Sequence, residues 1–352
     1  MSRRDIGTDD PRVRVRPGRG SRPRTKRRPD YSTTPTGMVV AVDRGRYTVI
    51  CDADTAVVQA VKAREIARGG VVVGDIVHLT GDLSGRRDTL ARIVEVRERT
   101  SALTRSAEDS DAKGREKTIV ANADVLVVVT AMTNPPVRPG FIDRCLVAAM
   151  DAGLEPVVCL TKADLGDPDG AQQLCRDLDV ETIVTTIVAD HPAGDGYRQL
   201  AERVAGHTAV LIGHSGVGKS TLLNAIIPEA QRDTSHVNAV TGRGRHTSTS
   251  VEAFPHPKGG WLIDTPGVRG FGLAHVDAAA VIDAFPELAS VTDECPRACR
   301  HLDDDCALNT WIGDGADDVE RVRRRSRVDG VRRLLRSLYQ AQAKPWEWDA
   351  RG

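Results

Sequence analysis

Residues 213–221 read GHSGVGKST, and they follow the apolar run TAVLI at 208–212. They satisfy the pattern G-x-x-x-x-G-K-[ST], in which glycines let backbone N–H groups turn inward around phosphate oxygens. The helix-forming run STLLNAII follows at once, and Pro228 ends it. A strand, a glycine-rich loop and a helix in this order predict a phosphate-binding loop at the carboxyl edge of an α/β sheet.

The polar side chains of this loop have expected partners on a nucleotide. The Lys219 ammonium would reach the outer phosphates, and the Ser220 hydroxyl would bind magnesium. A glycine-rich turn that binds no ligand is the alternative. The predicted nucleotide-binding residues of the loop are Gly213, His214, Ser215, Gly216, Val217, Gly218, Lys219, Ser220 and Thr221.

Two later segments fit the same chemistry. In the motif DTPG, which ends the apolar strand WLI, Asp264 can hold the magnesium shell and the Gly267 N–H can meet the terminal phosphate. The polar run TGRGRHTSTS at 241–250 predicts a segment that closes over the nucleotide, with Thr247 or Thr249 supplying a second hydroxyl to magnesium. A flexible surface loop is the alternative for this run.

The motif LTKAD ends the apolar run at 155–161 and precedes the phosphate-binding loop along the chain. A carboxylate at Asp164 can accept hydrogen bonds from N1 and N2 of guanine, which adenine cannot match, while the stem of Lys162 covers the base. Because a sheet does not depend on the order in which its strands are joined, strands ending at Thr161 and Ile212 could lie side by side and bring base and phosphates to one rim. The predicted base-binding residues are Thr161, Lys162, Ala163 and Asp164.

The remaining chain divides by its hydrophobic pattern. Short alternating strands between 36 and 96 predict a small β-barrel, and an oligonucleotide-binding (OB) type is one barrel that fits five strands. Longer apolar strands then alternate with helical runs, which predicts a parallel sheet covered on both faces. We expect a disordered basic tail at 1–35, the barrel at 36–98, a polar connector at 99–117, the α/β domain at 118–275 and a C-terminal domain at 276–352. The predicted strands of the α/β domain include 124–130, 155–161, 180–186 and 208–212, and its predicted helices include 140–153, 168–178 and 197–205.

Charge is strongly segregated although the formal net charge of the 352 residues is zero. Residues 1–29 hold eleven Lys or Arg and three Asp, a net charge of +8; residues 277–318 hold two basic and eleven acidic residues, −9; residues 320–338 hold eight Arg and two acidic residues, +6. Basic ends are compatible with a polyanionic partner. Aromatic residues make up 3% of the chain, so recognition of RNA through its backbone or shape is favoured over base stacking.

No uninterrupted apolar run reaches about 18 residues, and the charged N-terminus lacks the apolar stretch of a secretory signal. We therefore expect a cytoplasmic protein with no membrane partner. The last long helix is predicted to bury Val328, Val331, Leu335 and Leu338 on one face and to carry arginines on the others.

Three of the seven cysteines cluster with a histidine within twelve positions. Three thiolates and one imidazole form a complete tetrahedral set for one structural zinc ion, with no open position for catalysis. Three cysteines could not all pair, and disulfides are rare in the cytosol. The alternative is that the clustered cysteines are buried and bind no metal. For the four cysteines scattered elsewhere in the chain, a buried, reduced thiol is the simplest interpretation. The predicted ligands are Cys295, Cys299, His301 and Cys306.

The permuted order of LTKAD and the phosphate-binding loop, the run GRHTST and the cysteine cluster resemble the circularly permuted GTPases of the ribosome small-subunit-dependent GTPase A (RsgA) family, over roughly residues 36–343. The resemblance implies a multidomain fold: an N-terminal OB-type barrel, a central permuted P-loop GTPase domain and a C-terminal helical zinc knuckle. It also implies hydrolysis of GTP to GDP, stimulated by the small ribosomal subunit during late maturation, as a checkpoint that releases assembly factors. The implied cofactors are zinc and magnesium, and the implied partners of a monomeric protein are the subunit, its rRNA, GTP or GDP and other assembly factors.

Three positions depart from expected patterns. Thr161 stands where the family has Asn, and the first two cysteines are spaced C-x3-C, one residue tighter than in many members. Val268 follows Gly267 where many translational GTPases place a polar residue that orients water. The resemblance therefore suggests His246, or a group donated by the ribosome, as the water-positioning group beside Lys219, Asp264 and Gly267. A histidine that packs the loop or contacts RNA is the alternative.

Two other functions are compatible with these motifs. One is a nucleotide-gated RNA-binding protein with negligible hydrolysis. The other is a P-loop ATPase in which LTKAD is accidental.

Overall fold

The structure is a computed structural model that describes residues 30–52, 56–67, 69–106, 116–188, 191–193, 195–228, 250–265, 271, 273 and 275–343. The chain separates into two compact units, Met1–Thr33 and Thr34–Gly352. All the elements that follow belong to the second unit.

The N-terminal elements form a closed five-stranded barrel. Its strands are β1 (Thr36–Asp43), β2 (Arg46–Cys51), β3 (Val57–Lys62), β4 (Ile76–Gly81) and β5 (Ala91–Val96). The order is β1-β2-β3-β5-β4, and β4 pairs back onto β1 to close the barrel. Alternate side chains such as Val49, Leu79 and Ile93 fill the interior and are fully buried. The predicted OB-type barrel is confirmed.

A β-hairpin follows in the segment for which the sequence predicts only a polar connector. Strands β6 (Ala102–Ser106) and β7 (Glu116–Ala121) pair antiparallel. The Leu103 and Val120 side chains of the hairpin are buried in the same hydrophobic cluster as α1. The polar residues between them hide this short alternation in the sequence.

A mixed sheet carries the central domain. Its strands are β8 (Val125–Ala131), β9 (Glu155–Thr161), β10 (Glu181–Val184), β13 (Thr208–Ile212), β14 (Glu252–Pro255) and β15 (Trp261–Asp264), and a small separate hairpin joins β11 (Thr186–Val188) to β12 (His191–Ala193). The helices are α1 (Pro139–Asp151), α2 (Asp169–Arg176), α3 (Gly196–Val204) and α4 (Lys219–Ile226), with a 3₁₀ helix at Ala163–Leu165. Spatial order is β10-β9-β8-β13-β15-β14, all parallel except β14.

Every residue of β8 is buried, as expected for a parallel strand covered on both faces. Its side chains alternate between two layers. Leu126 and Val128 belong to the same apolar cluster as α1, while Val127 and Val129 belong to the cluster of α3 and α4. The predicted α/β alternation is thereby confirmed.

The strands ending at Thr161 and Ile212 are not neighbours, which corrects the side-by-side arrangement considered from the sequence. The wholly apolar β8 lies between them and pairs with both β9 and β13. Because all three strands are parallel, their carboxyl ends still reach one edge of the sheet.

The C-terminal elements are helical. They are α5 (Ala278–Asp283), α6 (Pro286–Thr292), α7 (Ala307–Gly313) and α8 (Asp318–Ala343). The predicted apolar face of α8 is confirmed, since Val328, Val331, Leu335 and Leu338 are fully buried. These residues share one hydrophobic cluster with α1, so α8 and the central sheet have a common core. Within the described ranges, no helix is long and apolar enough to cross a membrane.

A buried ion pair joins the barrel to the hairpin that leads into β8. The Asp75 side chain is fully buried, and Arg99 donates from Nε to its Oδ1 at 2.7 Å and from Nη2 to its Oδ2 at 2.9 Å. Arg99 also donates to the Gly70 carbonyl at 3.2 Å and to Thr118 of β7 at 3.4 Å. One guanidinium therefore connects the barrel to β7.

Replacing Arg99 should destabilise this junction. Arg99→Ala leaves the Asp75 carboxylate buried without its cation, and we expect a loss of about 3–5 kcal/mol in the free energy of unfolding. Urea unfolding followed by circular dichroism measures it. The control is Arg92→Ala, an exposed arginine on β5 whose loss should change stability by about 0.5 kcal/mol or less. Equal midpoints for the two variants would contradict the role of Arg99.

Candidate nucleotide site and metal centre

The phosphate-binding loop is built on the end of β13. At Gly213, a Cβ atom would lie 2.2 Å from the Val129 carbonyl oxygen of β8, so only glycine lets the loop approach the sheet. Gly218 has φ +100°, a left-handed conformation that starts α4 at Lys219. The sequence pattern and the local geometry therefore agree on where the loop begins and ends.

The Lys219 ammonium lies inside this loop. Its Nζ donates to the carbonyl oxygens of Gly213 at 2.6 Å and His214 at 3.1 Å, and the residue is 8% exposed. Burial lowers the pKa of Lys219, whereas the nearby Asp264 carboxylate acts to raise it. A buried cation at a helix N-terminus, among backbone N–H groups, is suited to bind phosphate.

The Asp264 carboxylate stands at the end of β15, close to Lys219. Its Oδ1 atom is buried and has no hydrogen-bond partner among the residues that the structure describes. Burial raises the pKa of Asp264, and Lys219 opposes that shift. The neighbouring Thr265 hydroxyl donates to Leu211 O at 2.7 Å and so fixes this strand end against β13. A buried carboxylate oxygen beside the exposed Ser220 hydroxyl is the donor chemistry that a hydrated magnesium ion requires.

The base motif is linked directly to the phosphate-binding loop. Thr161 is fully buried, and its hydroxyl donates to Val217 O at 2.5 Å across the end of β8. The Lys162 backbone is left-handed, with φ 57°, and its Nζ donates to Asn134 O at 2.8 Å. Asp164 is exposed at the same edge of the sheet and forms no hydrogen bond with the described part of the chain. Both predicted motifs thus lie at one rim.

Two residues that support the base motif were not predicted. Thr185, which follows β10, accepts a hydrogen bond from the Ala163 N–H at 3.2 Å and donates its own N–H to Leu160 O at 2.7 Å. Asn134, in the loop after β8, supplies the carbonyl that holds Lys162. The signal for both was available, because Thr185 lies at the carboxyl end of the predicted strand 180–186 and Asn134 follows the predicted strand 124–130, and both ends must reach this rim.

An aromatic contact fixes the other side of the phosphate-binding loop. The rings of Phe141 and His214 have centroids 4.4 Å apart and planes inclined by 42°. Phe141 is 2% exposed and lies in the first turn of α1. No feature of the sequence pattern predicts this contact, since helical periodicity identifies a buried face without naming what it touches.

Four of the predicted residues cannot be placed. His246, Thr247, Thr249 and Gly267 lie outside the residues that the structure describes. Their roles stay predictions from the sequence.

The cysteine cluster converges as predicted. The ligand atoms of Cys295, Cys299, His301 and Cys306 all lie within 4.8 Å of one another. Cys295 Sγ is 3.7 Å from Cys306 Sγ and 3.6 Å from His301 Nδ1. A tetrahedral ion with metal–sulfur bonds of about 2.3 Å and metal–nitrogen bonds of about 2.1 Å needs separations of about 3.5–3.8 Å. The group can therefore hold a metal ion.

The protonation chemistry of the cluster also fits a cation. Burial, together with the neighbouring thiols of Cys306 and Cys299, raises the pKa of the Cys295 thiol to about 12. Burial also raises the pKa of Cys299. Thiols crowded together in this way lose their protons readily only when a metal ion compensates the charge.

Helix α8 is hydrogen-bonded to the segment at residues 295–306, which carries the four candidate metal-binding residues and is called the metal loop below. Arg332 donates from Nε to His301 O at 2.9 Å and from Nη2 to Asn309 Oδ1 at 2.9 Å. Asn309 in turn donates to Asp304 O at 2.9 Å. The backbone of His301 is left-handed, with φ 60°, and this bracing holds it in place.

Several arginines of α8 have partners within the protein. Arg324 pairs with Glu320, Arg327 with Asp179 and Glu287, and Arg333 with Asp143. Arg332 donates to His301 O and Arg321 pairs with Asp318, so five of the eight arginines bond within the protein. Exposed arginines without a hydrogen bond or salt bridge to the described chain are Arg323, Arg325 and Arg336.

Two solved structures share this fold. The crystal structure of YjeQ from Thermotoga maritima is 23% identical, covers 87% of this chain and 98% of its own, and superposes with a TM-score of 0.60. The crystal structure of YloQ, a circularly permuted GTPase, is 23% identical, covers 88% and 96%, and gives a TM-score of 0.58. The predicted permuted GTPase fold is confirmed.

Curated relatives are more similar in sequence. A protein named small ribosomal subunit biogenesis GTPase RsgA from Pseudomonas syringae pv. syringae (strain B728a) is 39% identical over 236 residues, which cover 65% of this chain and 66% of the relative. The protein of that name from Ectopseudomonas mendocina (strain ymp) is 38% identical over 226 residues, with 62% and 66% coverage. The alignments span slightly less than two thirds of these relatives' length.

The family model of the RsgA GTPase matches residues 96–274, which is more than half of the 352-residue chain. The matched range contains LTKAD, the phosphate-binding loop and DTPG in their permuted order. The chain therefore belongs to the RsgA GTPase family.

Proposed function

We propose that this protein binds the small ribosomal subunit and hydrolyses GTP to GDP during late maturation of that subunit, as a checkpoint that releases assembly factors. The observation that carries the proposal is the buried hydrogen bond from Thr161 to Val217 O, because it joins a guanine-type motif to a phosphate-binding loop. The curated relatives bear the name small ribosomal subunit biogenesis GTPase. The proposed setting is the cytoplasm, and the proposed form is a monomer.

The proposed nucleotide contacts follow from the donors at the rim. Asp164 would accept from guanine, and the stem of Lys162 would cover the base. Lys219 would leave its loop carbonyls for the outer phosphates, while Ser220 and a water held by Asp264 would bind magnesium. Magnesium bound there would neutralise charge on the β- and γ-phosphates. We also assign Gly267 to the terminal phosphate and Thr247 or Thr249 to magnesium, from their sequence motifs alone.

We assign nucleotide binding and rRNA binding to different predicted domains. Residues 118–275 would carry the nucleotide chemistry, while the barrel at 36–98 and the C-terminal domain at 276–352 would contact rRNA. The exposed Arg323, Arg325 and Arg336 and the basic tail at 1–35 supply cations for phosphate contacts.

Hydrolysis with ribosomal subunits tests the function. We expect purified small subunits to raise GTP turnover at least about tenfold, whereas large subunits should not. A catalytic group donated by a partner can raise turnover by ~10³, so the expected effect is well within reach. Lys219→Ala should abolish the stimulation, and the exposed Lys258→Ala, at the β14–β15 turn, should retain it. Small-subunit binding without stimulated turnover would favour a nucleotide-gated RNA-binding protein. Equal turnover of ATP would favour a P-loop ATPase.

The same assay tests His246 as the group that positions the attacking water. Positioned acid–base groups contribute about 10²–10⁴-fold, so His246→Ala should lower stimulated turnover by about 10² or more with GDP affinity unchanged. The control is His207→Ala, an exposed histidine just before β13 at the opposite edge of the sheet. Full turnover by His246→Ala would contradict the assignment.

Base selectivity tests Asp164. In Asp164→Asn an amide donor replaces a carboxylate acceptor, which suits the C2 carbonyl of xanthine and not the amino group of guanine. Loss of a hydrogen bond to a charged group should weaken GDP binding by about tenfold to 100-fold and favour XDP in competition. The control Asp167→Asn retains the acceptor that binds the Asp169 N–H. Unchanged GDP selectivity in Asp164→Asn would exclude the base-reading role.

The proposed metal is zinc, in a structural role. Elemental analysis should find about one equivalent of zinc per chain, and chelation should lower the thermal stability because binding and folding are coupled. His301→Ala should lose the metal, while His207→Ala should retain it. Less than about half an equivalent in the parent, together with a His301→Ala variant that behaves like the parent, would defeat the zinc assignment.

A further inference from the structure

Two consecutive arginines of α8 connect the metal centre to the GTPase domain. Arg332 donates to His301 O in the metal loop at 2.9 Å. Arg333 donates from Nε to Asp143 Oδ1 of α1 at 2.9 Å and from Nη2 to Leu174 O of α2 at 2.8 Å. A movement of the metal loop that shifts α8 therefore acts on α1 through the adjacent residue.

The contact on α1 is a buried charge pair. The side chain of Asp143 is 4% exposed, and that of Arg333 is 23% exposed. Burial raises the pKa of Asp143, and Arg333 acts against that shift. A buried carboxylate that loses its hydrogen-bonded cation is strongly disfavoured, so the Asp143–Arg333 pair favours one relative position of α1 and α8.

Helix α1 continues the connection to the phosphate-binding loop. Phe141, two residues before Asp143, contacts the His214 ring with centroids 4.4 Å apart. The carbonyl of His214 is one of the two that hold Lys219 Nζ, at 3.1 Å. Close-packed interiors transmit small displacements, so a shift of the first turn of α1 reaches the loop that would hold the phosphates.

A second contact between α8 and the GTPase domain provides a comparison. Arg327 donates to Asp177 O at 3.3 Å and pairs with Asp179 and Glu287. These partners lie just beyond α2 and in α6, and none belongs to α1, the metal loop or the phosphate-binding loop. Arg327 therefore holds the same interface without lying on the route to the nucleotide.

We propose that the metal centre and the phosphate-binding loop are energetically coupled through Arg332, Arg333, Asp143, Phe141 and His214, so that a bound metal ion strengthens guanine-nucleotide binding. The coupling rests on the proposed nucleotide and metal sites. Linkage makes it reciprocal: nucleotide must strengthen metal binding by the same factor.

The test uses the full chain and measures GDP affinity rather than hydrolysis. Competition against a fluorescent GDP gives the dissociation constant for zinc-loaded and chelator-stripped protein. We expect zinc to strengthen GDP binding at least about fivefold, the lower end of typical coupling between sites. Zinc competition against a chromophoric chelator, with and without GDP, should give the same factor.

Two kinds of variant separate the route from general destabilisation. Asp143→Leu combined with Arg333→Met removes both charges while keeping apolar volume, a replacement that buried pairs often tolerate. Phe141→Leu keeps an apolar side chain but removes the ring contact with His214. In both we expect the zinc-dependent factor to fall close to one, while Arg327→Gln should retain it.

Several outcomes would overturn the inference. Equal GDP affinity with and without zinc would do so while leaving the proposed function intact. A factor that survives in the double variant, or that falls as much in Arg327→Gln, would show that the coupling does not follow this route. Absence of GDP binding in the zinc-loaded protein would overturn both the coupling and the proposed function.

Discussion

One buried hydroxyl joins the two halves of the nucleotide rim. Thr161 donates to Val217 O at 2.5 Å, across the carboxyl end of a strand that separates β9 from β13. A side-chain amide at this position, the residue that the family pattern expects, has two donor hydrogens and an acceptor oxygen, whereas the hydroxyl has one donor hydrogen. In this chain the one donor is committed to the phosphate-binding loop. The base motif therefore keeps its connection to the phosphate-binding loop, and in the proposed complex Asp164 and Lys162 would make the contacts to guanine.

Permutation explains how the flanking domains attach. The sheet accepts β8, β9 and β10 before β13 in the chain because only their spatial order matters for pairing. The barrel adjoins the sheet where Ala41 of β1 pairs with Glu252 of β14, and Arg99, which follows β5, also connects it to Thr118 of β7. On the other side, α8 shares the hydrophobic core of α1. The permuted domain thus lies between two modules. The barrel contacts β14, which pairs with the strand that ends in Asp264, and α8 contacts α1, which packs against His214.

The sequence predicts well wherever a local pattern carries the physics. The bounds 155–161 and 208–212 match β9 and β13. The apolar face of α8 is where periodicity predicts it, and the four Cys and His residues that could hold a metal ion converge as their spacing predicts. Pairing partners are harder to predict, because periodicity reports that a face is buried and not what covers it. That limit accounts for the position of β8 between β9 and β13 and for the contact between Phe141 and His214. Polar residues with internal partners, such as Arg333, resemble solvated ones in sequence, so the α8 arginines that bond within the protein could not be distinguished from the others.

Each arginine of α8 can either bond within the protein or bind a phosphate, but not both. The basic charge of the run at 320–338 therefore overstates its capacity to bind a polyanion. A guanidinium bound to a buried carboxylate or to a backbone carbonyl cannot also neutralise a phosphate. Of the eight arginines at 320–338, Arg324, Arg327, Arg332 and Arg333 are engaged in this way, and Arg321 pairs with Asp318. Each phosphate contact adds slightly less than one unit to the slope of log K against log salt concentration for RNA binding. The three arginines that have no partner in the described chain would therefore contribute far less than eight would. The bonded arginines instead give α8 its position between the metal loop and α1, and the contacts of the proposed complex with RNA would fall mainly to residues outside this helix.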